Sequence, residues 1–354
     1  MKMEGENCDS FEISDVEDEL DLALHRDDLS EISDDFGTDS DDSDVIIVRK
    51  KRRMQIIESD SEDEDTPPAD SNVWNDITGS DVSLPKIDFS TGNKVPGSQI
   101  FNIEEPLQFF KLYFTEELVD EIVSETNNYA NNTLRNKTLT KNSIWHSWRD
   151  TNKEEFFAFL GVILNMGTMV LPNMQDYWST SDNTKIPFFA NIFTRRRFNQ
   201  LFWMLHLKTM GQERRDIRTR IQRVSNFLEY INSKFAEYFI PGQNICVDES
   251  IVKFKGKISF ITYNPNKPTK WGIRIYVLAD SQTGYVYNIL PYYGSITSND
   301  LIKPELPVST RIPLHLYNNL LINVPDAEGY HMYTDRYYTS IILAEELLKM
   351  KCHI

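Results

Sequence analysis

The chain has 354 residues and a formal net charge of -17, a length that suggests about two domains. Residues 1–100 carry 28 acidic and 9 basic side chains and the other 254 carry 26 and 28, so the charge does not exclude a nucleic-acid partner for the near-neutral, aromatic-rich remainder. Scattered Cys8, Cys246 and Cys352 argue against a disulfide framework or a zinc site, and the lack of a membrane-length apolar run or signal-peptide pattern leads us to expect a soluble, intracellular protein.

Residues 1–97 read as a disordered acidic tail. They are rich in Asp, Glu and Ser and hold too few apolar groups to offset the entropy of ordering. Two islands interrupt the acid. Val45-Ile46-Ile47-Val48 is β-prone and preceded by acid, similar to a SUMO-interacting motif that adds to a partner's sheet edge; the other reading is an apolar patch without a partner. Arg49, Lys50, Lys51, Arg52 and Arg53 read as a nuclear localisation run, placing the protein in the nucleus, or else as a charge-balancing stretch. Ser59 and Ser61 sit among acids that suit phosphorylation.

Residues 98–242 carry helical periodicity, predicting an all-α unit. Thr115 is placed to cap a helix bearing Leu118, Val119, Ile122 and Val123. Thr151 and Glu154 form a capping-box pattern before Phe156, Phe157, Phe159, Leu160, Ile163 and Leu164, whose apolar groups lie nearly all round the axis and predict a buried helix. Thr194 opens a third helix with Phe198, Leu201, Phe202 and Leu205 on one face and Arg195, Arg196 and Arg197 in its first turn. Val224, Phe227, Leu228, Ile231 and Phe235 mark a fourth.

The period switches near residue 243. Strands are predicted over 244–252 and 258–262, then a hairpin over 273–280 and 285–291, a strand over 329–335 and a helix over 340–350. Residues 243–354 therefore read as an α/β layer. Two segments there deliver an aspartate from an apolar strand: Ile245-Cys246-Val247-Asp248-Glu249-Ser250, and Tyr330 to Thr334 followed by Asp335. Hard oxygen donors on neighbouring strands are what two-metal phosphoryl transfer needs, the ions lying about 3.5–4 Å apart. Aspartates that merely cap a following turn give the same local pattern.

Asp248-Glu249-Ser250, Asn264-Pro265-Asn266-Lys267-Pro268-Thr269-Lys270-Trp271-Gly272-Ile273 and Asp335-Arg336-Tyr337-Tyr338-Thr339-Ser340 resemble, in order, blocks of the piggyBac-type transposases. Residues 156–168 and Asp176-Tyr177-Trp178 are similar to the preceding region of that family. The resemblance implies an incomplete RNase H-like core preceded by a helical dimerisation and DNA-binding domain and a disordered acidic N-terminus. It implies catalytic, metal-binding roles for Asp248 and Asp335, with Mg²⁺ or Mn²⁺ as cofactor and double-stranded DNA as substrate. The implied reaction frees a 3′-hydroxyl, forms a hairpin at the transposon end and joins it at TTAA targets, with a homodimer as the working form. A third catalytic aspartate belongs on a helix well beyond the second, whereas the sequence runs only 19 residues past Asp335. The strand and helix after that point and a Cys-rich zinc module are accordingly not expected in these residues. Asp280, Glu345 and Glu346 do not have the position to replace the third acid. Arg336 stands where the family usually has a neutral residue and is placed to compete with a cation for Asp335. The expectation is a transposase whose chemistry needs a third carboxylate, or else an inactive derivative binding DNA or chromatin.

Lys253, Lys255, Lys257, Lys267, Lys270 and Arg274, interleaved with aromatics, are candidates for DNA phosphate contacts; a solvated strand face is the alternative. Arg214, Arg215 and Arg218, with Arg220 and Arg223, form a second basic stretch, a candidate for DNA-backbone contacts or else an ion-paired surface helix. The tryptophans are read as core, and the histidines show no common ligand spacing.

Overall fold

The computed structural model describes residues 86–135, 138–207, 223–254, 258, 260–265 and 267–354. The chain divides into two units, Met1–Arg53 and Met54–Ile354, and all described residues belong to the second. The apolar run at 45–48, the basic run Arg49–Arg53, the two serines, Arg214, Arg215, Arg218, Lys255 and Lys257 lie outside the described residues.

The described residues include 86–97, which the sequence reading assigned to the tail. Ser90 and Glu328 exchange two backbone hydrogen bonds of 2.9 Å, and the Phe89 ring stands edge-on to Tyr330 at 5.0 Å. A strap of residues 86–97 is thereby held against the start of a distant strand. This pairing is long-range, so no local periodicity announces it.

Among the described residues, six α-helices follow: α1 Pro106–Tyr113, α2 Glu116–Arg135, α3 Lys153–Thr168, α4 Pro187–Ile192, α5 Arg195–Met204 and α6 Ser225–Tyr238. Thr115 accepts the Leu118 N–H as expected, at 3.3 Å, and Thr194 caps α5 by accepting from Arg197 N–H. The cap of α3 is Asn152, one residue beyond the expected Thr151. Thr151 is tied by its backbone N–H to Asn127 and turns its hydroxyl to the Glu155 carboxylate instead. Nor is α3 buried all round: Phe156, Phe159 and Val162 are inside, while Leu164 is 58% exposed. Its inner face meets Val119 and Ile122 of α2, Phe189 of α4 and Phe198 and Leu201 of α5.

Beyond α6 the sheet forms from β1 Asn244–Lys253, β2 Thr262–Tyr263, β3 Trp271–Asp280, β4 Val286–Pro291, β5 Tyr330–Thr334 and β6 Cys352–His353. The order is β2-β3-β1-β5-β6, with β4 also on β3. β1 pairs antiparallel with β3 and parallel with β5, and β5 pairs parallel with β6. Parallel neighbours need crossovers. Helices α7 Ser295–Asp300 and α8 Val308–Asn323 connect β4 to β5, and α9 Ile341–Lys349 connects β5 to β6. The expected strand over 258–262 contracts to β2, and the strand expected to be missing after Asp335 is begun by β6.

Helix α8 keeps Pro313 in its interior. An interior proline costs about 3 kcal/mol. Ile312, Leu314, Leu316, Tyr317 and Leu320 are fully buried against Ile245 and Val247 of β1 and Met332 of β5. At roughly 1.5–3 kcal/mol per side chain, burial wins and the helix persists.

Gly272 lets β3 approach β1 closely. A Cβ there would lie 2.4 Å from the Val252 carbonyl oxygen and 2.5 Å from Ile251 Cγ2. Gly272→Ala is expected to lower stability by about 1–3 kcal/mol, measured by denaturant unfolding. Unchanged stability would show that the strand pair can separate without cost.

Candidate active site

Strand β1 is apolar at Ile245 and Val247, which face the core, so Asp248 is turned to the opposite, exposed face. Asp248 lies within β1, which continues to Lys253, and not at its end as expected. It is β5 that stops here. The parallel register pairs Val247 with Thr334, so Asp248 and Asp335 are the next residues on adjacent strands, although 87 positions separate them in sequence.

Each aspartate is oriented by a backbone N–H. Glu249 N–H donates to Asp248 Oδ1 at 2.8 Å, and Tyr337 N–H donates to Asp335 Oδ1 at 3.0 Å. The Asp335 carbonyl accepts from Tyr338 N–H, Thr339 N–H and the Thr339 hydroxyl, which closes the turn after β5. Partial burial pushes the Asp248 carboxyl above the usual aspartate range. The Glu249 N–H opposes this, and the negative charges of Glu249 and Asp335 add to it. Neighbouring carboxylates that repel one another in this way form a place where a cation is favoured.

Carboxylates are hard oxygen donors, the kind that could hold a cation such as Mg²⁺. Among the described residues no group of three or more His, Cys, Asp or Glu side chains is arranged to hold a metal. Two of the other acids, Asp280 and Glu346, are engaged elsewhere. Asp280 accepts N–H groups from Gly242, Gln282 and Thr283 together with the Thr283 hydroxyl. Glu346 is paired with Lys303 and Lys349. His331 and His353 come side by side on β5 and β6, their ring centroids 5.3 Å apart, through a register that their sequence spacing does not reveal.

The basic candidates separate into different environments. Lys253 and Lys270 are exposed, and the pairing of Lys253 with Gly272 brings them to the same end of the β1–β3 pair. That end lies five residues along β1 from Asp248, about 17 Å at the usual strand rise. Lys267 is half-exposed and its ammonium sits 3.2 Å from Glu249 Oε1. Arg274 is only 6% exposed and its charge is felt by Glu249, so it does not present the open phosphate contact expected of it. Arg197 likewise leaves the surface. It is 8% exposed, donates to both oxygens of Glu155 at 2.6 and 2.8 Å, and lies 5.1 Å from the Trp148 ring centre.

Glu249 escaped the sequence reading. Its signal was there in the alternation of β1, which puts it on the core side with Ile245 and Val247, and a carboxylate on a buried face requires partners. Lys267 supplies one and the Tyr338 hydroxyl the other, at 3.1 Å. Burial alone would raise the Glu249 carboxyl, but these bonds and the charges of Lys267 and Arg274 hold it below the ordinary glutamate range.

The family described as Transposase IS4 matches residues 105–354. Human PiggyBac transposable element-derived protein 2 is 25% identical over 250 residues, covering 69% of this chain and 38% of that protein. Human PiggyBac transposable element-derived protein 3 is 22% identical over 257 residues, covering 72% and 40%. A solved piggyBac transposase synaptic complex with hairpin DNA aligns with a TM-score of 0.59 and 28% identity, covering 73% of this chain and 52% of that one. The chain thus spans about two fifths of these curated relatives and about half of the solved transposase. With the matched region taking in both aspartate-bearing strands, the chain belongs to the Transposase IS4 family and is related to the piggyBac-type transposases.

Proposed function

We propose that this chain carries the carboxylate pair of a nuclear, piggyBac-type DNA transposase that acts by metal-dependent phosphoryl transfer. The observation that carries the reading is the adjacency of Asp248 and Asp335 across the parallel β1–β5 pair. The strand order, three antiparallel strands followed by two parallel ones, supports an RNase H-like core from residue 243 onward. Helices α1–α6 then correspond to a dimerisation and DNA-binding domain over 98–242, and the solved relative's hairpin DNA supports double-stranded DNA as the substrate. TTAA targets, a homodimeric assembly and SUMO or chromatin contacts of the acidic tail complete the proposal.

In this reading Asp248 and Asp335 hold Mg²⁺ or Mn²⁺ with their carboxylate oxygens. The bound ion supplies Lewis acidity, lowering the pKa of water and offsetting charge that develops on the phosphate. The Glu249 and Tyr337 N–H groups each hold one of the two carboxylates through its Oδ1. In the hydrolytic step a water oxygen bonds to phosphorus while the P–O3′ bond breaks, leaving a 3′-hydroxyl and a 5′-phosphate. The chemistry requires a third carboxylate in addition to this pair.

Magnesium binding tests the site directly. Mg²⁺ at ten times its Kd is expected to stabilise the chain by about 1.4 kcal/mol, through selective binding to the folded form. Asp248→Asn and Asp335→Asn should each abolish the shift in thermal unfolding. A wild-type chain indifferent to Mg²⁺ would overturn the reading. The second reading, a DNA-binding derivative without catalysis, is favoured by the human relatives described as transposable element-derived. Mg²⁺-dependent nicking of a terminal-repeat duplex that is lost in Asp248→Asn would eliminate it. Retention of the duplex without nicking would support it.

A further inference from the structure

The metal-site reading leaves one question of construction, namely what keeps two aspartates from distant parts of the chain in register. Strand pairing between β1 and β5 ends at Val247 and Thr334, one residue before each aspartate. Past that point Asp335 belongs to the 335–339 turn and Asp248 to a strand supported only by β3. Backbone pairing alone therefore leaves the relative position of the two carboxylates open.

We infer that Glu249 is the positioning residue for this pair, linking the Asp335 turn to the Asp248 strand through Tyr338. Glu249 follows Asp248 directly, so its side chain is referenced to the same backbone. Tyr338 lies three residues past Asp335, in the turn whose N–H groups close on the Asp335 carbonyl. The Tyr338 hydroxyl donates to Glu249 Oε2 at 3.1 Å, across 89 residues of sequence. Tyr338 is fully buried, so its ring offers the hydroxyl little alternative orientation. The second oxygen of Glu249 takes the Lys267 ammonium at 3.2 Å, which anchors the 264–270 loop to the same point. The Glu249 side chain is only 10% exposed, so these bonds compete little with water. One carboxylate thus ties together segments of all three sequence blocks, through Glu249 itself, Lys267 and Tyr338. Groups that orient metal ligands from behind typically change metal affinity by about 10–100-fold when removed.

This inference rests on Asp248 and Asp335 being metal ligands, and the experiment separates the two. The probe is MgCl₂, and the readout is the Mg²⁺ concentration at half of the maximal thermal shift of the full chain. Tyr338→Phe keeps the buried ring and deletes the hydroxyl, and is expected to raise that concentration at least about 10-fold. Glu249→Gln keeps an oxygen acceptor for Tyr338 and should shift it less than Glu249→Ala. Arg197→Ala, on helix α5 and not on the sheet, should lower the unfolding temperature without moving the Mg²⁺ midpoint. If Tyr338→Phe and Glu249→Ala lower the unfolding temperature while leaving the midpoint at the wild-type value, Glu249 is structural only and the inference falls. If the wild type shows no Mg²⁺ shift, the metal site and this inference fall together.

Discussion

Replacing Arg197 with alanine is expected to destabilise the chain by about 3–5 kcal/mol. The guanidinium is 8% exposed and donates to both Glu155 oxygens, while Arg149 and Thr151 also bond the same carboxylate. Removing Arg197 leaves the largely desolvated Glu155 with the exposed Arg149 and the Thr151 hydroxyl, and a buried charge that has lost its principal partner costs more than the pair contributes. The pH dependence distinguishes this from lost packing against Trp148. Burial works to raise the Glu155 carboxyl, but the Arg197 and Thr151 bonds and the Arg197 and Arg149 charges outweigh it and hold it below the ordinary glutamate range. A depressed carboxylate contributes stability above its unfolded pKa and loses it as pH falls through the lower folded value. The Arg197→Ala penalty, measured by denaturant unfolding, should accordingly be full at about pH 7 and shrink below about pH 4. A penalty of equal size at both would place the loss in packing rather than in the ion pair.

Asp280→Ala is expected to cost at least about 3 kcal/mol, since hydrogen bonds to a charged acceptor contribute roughly 1.5–3 kcal/mol each. The residue is 2% exposed and its carboxylate accepts from Gly242 N–H at 2.8 Å, Gln282 N–H at 3.0 Å and Thr283 N–H at 2.7 Å, with the Thr283 hydroxyl at 2.8 Å. Burial acts to raise this carboxyl, but the Thr283, Gly242 and Gln282 donors prevail and lower it. Its contribution is thus present above the unfolded aspartate pKa and fades as pH falls through the folded one. The consequence extends beyond the turn. Gly242 leads into β1, and Ser281 N–H donates to the Asn244 carbonyl, so the carboxylate fixes where β1 enters the sheet. Equilibrium unfolding of Asp280→Ala checks the size. A loss below about 1 kcal/mol would mean that water replaces the carboxylate at the turn.

The exposed Leu164 on α3 and the buried Pro313 on α8 show where local pattern and tertiary structure part. Apolar residues nearly all round α3 predict a buried helix, yet a helix buries only the faces that meet a neighbour. Pro313 lies inside the helix over 308–323, yet burial of five large side chains in the core outweighs one missing backbone bond. In both cases the deciding quantity is the contact made with a distant part of the chain, which periodicity does not encode.

What the sequence by itself determined is local. Thr115, Thr194 and Ser340 mark helix starts because a side-chain oxygen accepts a backbone N–H two or three residues on. The period-two pattern of β1 and the apolar run of β5 place Asp248 and Asp335 where strand chemistry can use them. Only the tertiary structure decided that these strands are parallel neighbours, that β6 joins them, and that Arg197, Lys267 and Arg274 turn toward Glu155 and Glu249 rather than toward solvent. The reason is physical. A cap or an alternating face is satisfied within a few residues, whereas a strand edge or a buried charge is satisfied by whichever distant partner the fold brings to it.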